Sequence, residues 1–243
     1  MVSVIYLQAL IMKTRFVYRT IMATAATLAA AWAVAPANAA LITWSPAADV
    51  SAPADVSTTG TLVEAYSFSN ATGAATSPDV NGVTFTGVAA TGKNSVSFGS
   101  NGDTLAATNP GTSNVDGYNG FLYPSAITDT GYRSLLTSAA YESTNTTGGV
   151  LTLTLNSLTV GSTYQFEMWV NDSRSSSVSS FNNGKNRSVN VYPGTSSSDN
   201  VILKYQTPAD TSTTNYGGQF ATGTFTADAT SEAISIVGET SRP

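Results

Sequence analysis

The chain has 243 residues, 42% of them hydrophobic, with ten basic side chains, fifteen acidic ones, and neither histidine nor cysteine. Those two absences exclude Ser-His-Asp and Cys-His nucleophile systems, the common zinc sites and disulfide stapling, so stability must come from a core of ordinary size. The formal net charge of −5 disfavours nucleic acid as a partner.

Lys13, Arg15 and Arg19 precede an uncharged run from Thr20 to Val34, and Ala37-Asn38-Ala39 supplies the small residues that a signal peptidase requires. Residues 1–39 are therefore expected to be a signal peptide. Cleavage would leave Ala40 first in a secreted or cell-surface protein. Met12, just ahead of the charges, is a better start than Met1, whose leader from Val2 to Ile11 adds only apolar bulk. The run is too short and alanine-rich for a lasting membrane span, and the mature chain offers no second candidate. After cleavage seven basic and fifteen acidic residues remain, a net charge of −8.

Ile42 and Trp44 open a first strand, followed by a Pro/Ala/Ser loop to Ser57. Leu62 to Phe68 reads as the next strand, and Asn70 to Asp79 is turn-rich. Val83 and Phe85, then Val96 and Phe98, repeat a period of two, which predicts a meander of short strands. Asn101 to Asn119 shows no periodicity and reads as a loop. Tyr132, Leu135, Leu136, Ala139 and Ala140 fall at i, i+3, i+4, i+7 and i+8, which predicts a helix capped by Asp129 or Thr130. Leu151, Leu153 and Leu155 alternate with Thr152 and Thr154, and Tyr164, Phe166, Met168 and Val170 form a second inward row. Further strands are expected at Ser188 to Tyr192, Val201 to Tyr205, Phe220 to Thr226 and Ala233 to Val237. Roughly ten short strands with one helix predict an all-β, antiparallel two-sheet sandwich of jelly-roll type, a single domain over residues 40–243. With no apolar run after the last strand, a sandwich that expects one more would carry an open sheet edge, so the chain is expected to be truncated or frame-shifted, with a natural Arg242-Pro243 tail as the equal alternative.

The segment from Leu155 through Leu158, Gly161 and Tyr164 to Val170, followed by Arg187-Ser-Val189-Asn-Val191, resembles the central hairpin of malectin-like carbohydrate-binding jelly rolls. Fibronectin type III domains share the Leu-x-x-Gly-x-x-Tyr turn but are about half this length. Asp55 to Tyr66, Val80 to Phe85 and Tyr132 to Leu136 look like a domain of exported bacterial proteins that often carry a PEP-CTERM sorting tail, and that tail is absent here. The resemblance implies the fold. It carries over no sugar-binding residue onto a position in this chain.

If Tyr164, Phe166, Met168 and Val170 point inward, Gln165, Glu167, Trp169 and Asn171 point the other way. Asn190 and Tyr192 are expected to extend that face. An aromatic plane among amides and a carboxylate suits a sugar ring. The competing arrangement places Trp169 in a second small core beneath the helix or a loop. A long polar loop from Ser173 to Asn186 adds Arg174 and Lys185, which could meet acidic sugars. The aromatic cluster Tyr118, Phe121 and Tyr123 is expected to pack against the sandwich. Carboxylate-pair glycosidases survive the loss of histidine, with Glu64, Glu142, Glu167 and Asp172 as candidates. A lyase using Tyr with Lys or Arg survives too. No cofactor is expected beyond a structural calcium ion, for which Asp172, Asp199 and Asp228 at strand ends are candidates. The function expected is a non-catalytic module binding polysaccharide or cell-surface glycan, or serving the extracellular matrix. A structural or adhesive surface protein is the alternative, and an enzyme ranks third.

Overall fold

Alternating apolar residues sort this chain into two stacked sheets, with a third layer over one of them. The computed structural model describes residues 8–14, 40–70, 77–108, 114–143, 149–172, 187–205 and 217–240. Its strands are β1 (Gln8–Thr14), β2 (Thr43–Trp44), β3 (Ala48–Asp49), β4 (Thr61–Asn70), β5 (Asp79–Val80), β6 (Val83–Thr84), β7 (Thr86–Lys93), β8 (Ser95–Phe98) and β9 (Asp103–Ala107). They continue as β10 (Val115–Asn119), β11 (Ser138–Glu142), β12 (Val150–Leu155), β13 (Thr163–Val170), β14 (Arg187–Pro193), β15 (Val201–Lys204), β16 (Gln219–Thr226) and β17 (Glu232–Thr240). A 3-10 turn at Pro53–Asp55 and a helix, α1 (Thr130–Leu136), complete the described elements.

One sheet runs β11-β10-β7-β4-β1-β13-β16-β2, with β3 also on β16, and the other runs β15-β14-β17-β12-β9-β8. From β12 onward the chain crosses to the other sheet at every step except the β14–β15 hairpin, which is jelly-roll wiring. The described ladders are antiparallel except β4 with β7. Between the sheets, Tyr66, Phe68, Phe166 and Met168 face Leu105, Leu151, Leu153, Val189, Ile234 and Ile236, all buried. The fold class is the one expected.

Four local expectations are corrected. Asn101–Asn119 is not a loop: it contains β9 and β10, whose inward residues include Leu105, Ala107 and Val115 among threonine, alanine and glycine too small to show a period. The helix stops at Leu136 rather than running to Ala140. Ala139 and Ala140 belong to β11 and pack between the sheets, so their helical spacing is coincidental. The last strand is no open edge, because β17 lies between β12 and β14. Finally, Gln8–Thr14 is more than apolar bulk: it pairs antiparallel with β4 and with β13, in the middle of the larger sheet, and Met12 is 2% exposed.

The outer face of the larger sheet carries the third layer. Asp129 caps α1 by accepting the Tyr132 N–H at 2.7 Å, and the helix lays Tyr132, Leu135 and Leu136 onto that face. With Val50, Val56, Val80, Val83, Phe85 and Ile127 they form a second core.

Candidate functional site

The alternation expected for β13 holds, but the face opposite the main core is closed. Trp169 is 1% exposed and sits in the second core, edge-on to Phe85 at 6.0 Å and stacked on Phe220 at 6.3 Å between centroids. The expected open sugar platform is therefore corrected: a helix, a two-stranded ribbon and a loop cover the indole, and no ring of a ligand can reach it. Parity along a strand says which side a residue takes. It is silent about whether another layer caps that side.

Its neighbours are structural for the same reason. Glu167 is buried and accepts from the Ser57 N–H at 3.0 Å and the Thr222 hydroxyl at 3.3 Å. Burial, with Asp55 nearby, pushes its carboxyl up to about 7. Asn171, also buried, donates to the carbonyls of Leu122 at 2.9 Å and Leu136 at 3.0 Å, tying down the end of α1. Gln165 is half-buried. Asn190 and Tyr192 do not extend this face, because β14 lies in the other sheet. Asn190 accepts from Asn200 at 2.6 Å, and Tyr192 is half-buried. Arg174 and Lys185 lie outside the described residues. Tyr118 and Phe121 pack ring to ring at 4.5 Å, and Tyr123 carries the Arg133 guanidinium 5.2 Å above its ring.

The carboxylates fall into three groups. Glu142 is fully buried in β11 and Asp172 nearly so after β13. Glu64 of β4 and Asp103 of β9 are electrostatic neighbours across the gap between the sheets. Burial pushes Asp103 up to about 7, although it accepts the Asn156 N–H at 2.7 Å. Burial also acts on Glu64, but the neighbouring Tyr66 and Asp103, with the bonds from the Ser100 hydroxyl and the Asn101 N–H, outweigh it and hold Glu64 below the usual carboxylate range. Each carboxyl accepts from the protein's own donors, so Glu64 ties β4 to the turn before β9 and Asp103 ties β9 to the end of β12. The sequence offers no signal for Asp103, which hides in the segment expected to be a loop.

The third group surrounds the start of β2. Glu232, 2% exposed, accepts the Ala40 N–H at 2.9 Å through Oε2, while its Oε1 has no partner among the described residues. Burial, together with Asp228, pushes this carboxyl up to about 7. Two open crevices flank the place. One of about 420 Å³ is lined by Ala40, Thr43, Thr224, Thr226 and Asp228, and one of about 560 Å³ by Thr154, Ser196, Asp199, Ser231 and Glu232. Leu41, 63% exposed, stands between them. The linings mix hydroxyls and carboxylates with Leu41, Pro193, Ala233 and Phe225, and the one aromatic ring among them, Phe225, is buried.

Of the expected calcium ligands, Asp228 is exposed beyond β16, Asp172 is buried beyond the far end of β13, and Asp199 lies in the turn between β14 and β15. No group of three or more acidic residues that could hold a metal ion occurs among the described residues. No described helix is long and apolar enough to cross a membrane. In comparisons with known proteins, no family model, no curated protein and no solved structure matches this chain.

Proposed function

We propose that the chain is an exported, non-catalytic sandwich that serves as a structural or matrix module, acting through its outer surface rather than through a ligand pocket. The observation that carries this reading is the burial of Trp169. With the indole sealed, what faces solvent at the crevices is threonine, serine and aspartate around Leu41. Such a surface hydrates well and offers many weak hydrogen bonds, but it lacks the stacking plane that gives a sugar site its affinity. Glu64 and Asp103 fit structural ties better than an acid and a nucleophile, because their carboxyls are taken up by the Ser100 hydroxyl and the Asn101 and Asn156 N–H groups rather than set around a bond to be cut.

Weak glycan contact is the second reading, and the crevice of about 560 Å³ favours it. Affinity electrophoresis of the secreted product through gels holding neutral or uronic-acid polysaccharides separates the two. Unretarded migration is expected, with antibody labelling on intact cells. Retardation that Asp199→Ala abolishes overturns the structural reading in favour of binding.

A further inference from the structure

We infer that the buried carboxylate of Glu232 is the receptor for the chain's own new N-terminus, locking the Ala40 α-ammonium in place once the leader has been cut after Ala39. The inference rests on the exported reading above and goes beyond it, because it assigns a site to the product of cleavage.

The geometry needs no rearrangement. In the uncut chain the Ala40 nitrogen is an amide that donates one hydrogen bond, 2.9 Å from Glu232 Oε2. Cleavage turns that nitrogen into an ammonium with three donors and a full positive charge. Glu232 Oε1, buried and without a partner among the described residues, is the second acceptor waiting for it. A carboxylate that accepts only a neutral N–H inside the protein is costly to ionise, whereas one paired with an ammonium at hydrogen-bonding distance is not.

Residues on the C-terminal side of Ala40, rather than the leader, set its position. Ala40 and Ile42 are buried in the main core while Leu41 and Thr43 face out, and the Trp44 ring packs edge-on to Phe166 at 6.2 Å. Gly223 of β16 makes room for this segment: a Cβ there would come within 2.6 Å of Ile42 and 2.9 Å of Trp44. These anchors remain after the leader has gone. Charge favours the same end state, since the other titratable groups facing the site are Asp228 and Asp199, both acidic, and no basic side chain lines either crevice among the described residues. At Ala40 the effect of processing is therefore specific to register. A leader cut one residue earlier or later puts the ammonium out of register with Glu232.

The test uses the full chain expressed in an exporting bacterium, with the secreted product collected. Mass spectrometry reads its first residue, expected to be Ala40. The product is then acylated with an amine-reactive succinimidyl ester over a range of pH, and the labelling of the N-terminal peptide is measured. An unpaired α-amine titrates near 7.7–8.0. The profile for folded protein is expected to be displaced upward by at least about one unit, and to return to the ordinary value in urea or in Glu232→Gln. The displacement reads ionisation, so burial of the amine, which slows labelling at every pH, does not mimic it, and the wild-type profile suffices if the variant does not fold. A product that starts at Ala40 with an ordinary profile overturns the lock and leaves export standing. A product that starts at another residue after Met12 overturns the lock alone, and one that keeps the leader overturns both.

Discussion

Because the chain has no histidine and no cysteine, almost nothing in it titrates between pH 5 and pH 8 except what burial has displaced into that window. Asp103, Glu167 and Glu232 are all pushed up to about 7, each mainly by burial. In the unfolded chain the same groups titrate near 4, so between about pH 4 and pH 7 the folded state binds more protons than the unfolded one. Stability is therefore fully present below the unfolded value and declines as pH rises through the folded value. Glu167, beneath the third layer, accounts for roughly 3 kcal/mol across that interval, at about 1.4 kcal/mol per unit. Asp103 and Glu232 lie closer to solvent, whose screening reduces their shares below that figure. Glu64, held low, acts in the opposite sense: its share is present above the unfolded value and is lost only as pH falls below the window. For a chain of this size 1 kcal/mol moves Tm by about 2–4 °C, so Glu167 alone corresponds to a fall of roughly 6–12 °C. Differential scanning calorimetry of the full chain at pH 5 and at pH 8 measures it directly. Glu167→Gln provides the attribution: the variant should match the wild type at pH 5 and exceed it at pH 8. A Tm that is level or rises from pH 5 to pH 8 refutes the burial of these carboxyls.

Trp169→Ala should cost about 3–5 kcal/mol in urea unfolding, because it empties a site enclosed by Phe85, Phe220 and α1. An unchanged midpoint would mean that the ring lies outside the core. Asn171→Ala strands the carbonyls of Leu122 and Leu136 and should cost about 1–3 kcal/mol, with faster hydrogen exchange across Thr130–Leu136. Met12→Asp places a charge at a buried position in the centre of the larger sheet. Amides of Thr61–Asn70 and Thr163–Val170 should then exchange faster than in the wild type.

How much of the fold is legible in the sequence depends on side-chain size. β12, β13 and β17 announce themselves through large residues at alternate positions, as in Leu151, Leu153 and Leu155, and their bounds shift by only a residue or a few. β7, β9, β10 and β11 do not, because Ala, Thr and Gly make their ladders and a buried alanine looks like any other alanine. The outward row of β13 is legible and its use is not. Trp169 faces away from the main core, yet the layer that covers it is assembled from Val50, Val56, Val80, Phe85 and α1, none of them its neighbour in sequence. The same limit hides Glu232 and Asp103. Each is a lone acid at the start of a strand, and what makes it notable is a partner from far along the chain, Ala40 or Glu64.

Gln8–Thr14 and the segment after Ala40 meet in one question of stability. β1 closes the ladder between β4 and β13, which both run antiparallel to it and hence parallel to each other. A leader withdrawn for export takes β1 with it, so the two flanking strands lose their shared partner and Met12 leaves the second core beside Trp169. The ion pair proposed at Ala40 forms in the same event, with its carboxylate on β17 of the other sheet and its segment continuing into β2 of the larger one. Processing at the proposed site would remove a strand from the middle of one sheet and add an ion pair between the sheets. The β4–β13 seam would then carry unpaired backbone on both sides and be less stable than in the uncut chain, which slower exchange of the Thr61–Asn70 and Thr163–Val170 amides in the uncut chain than in the processed one would show.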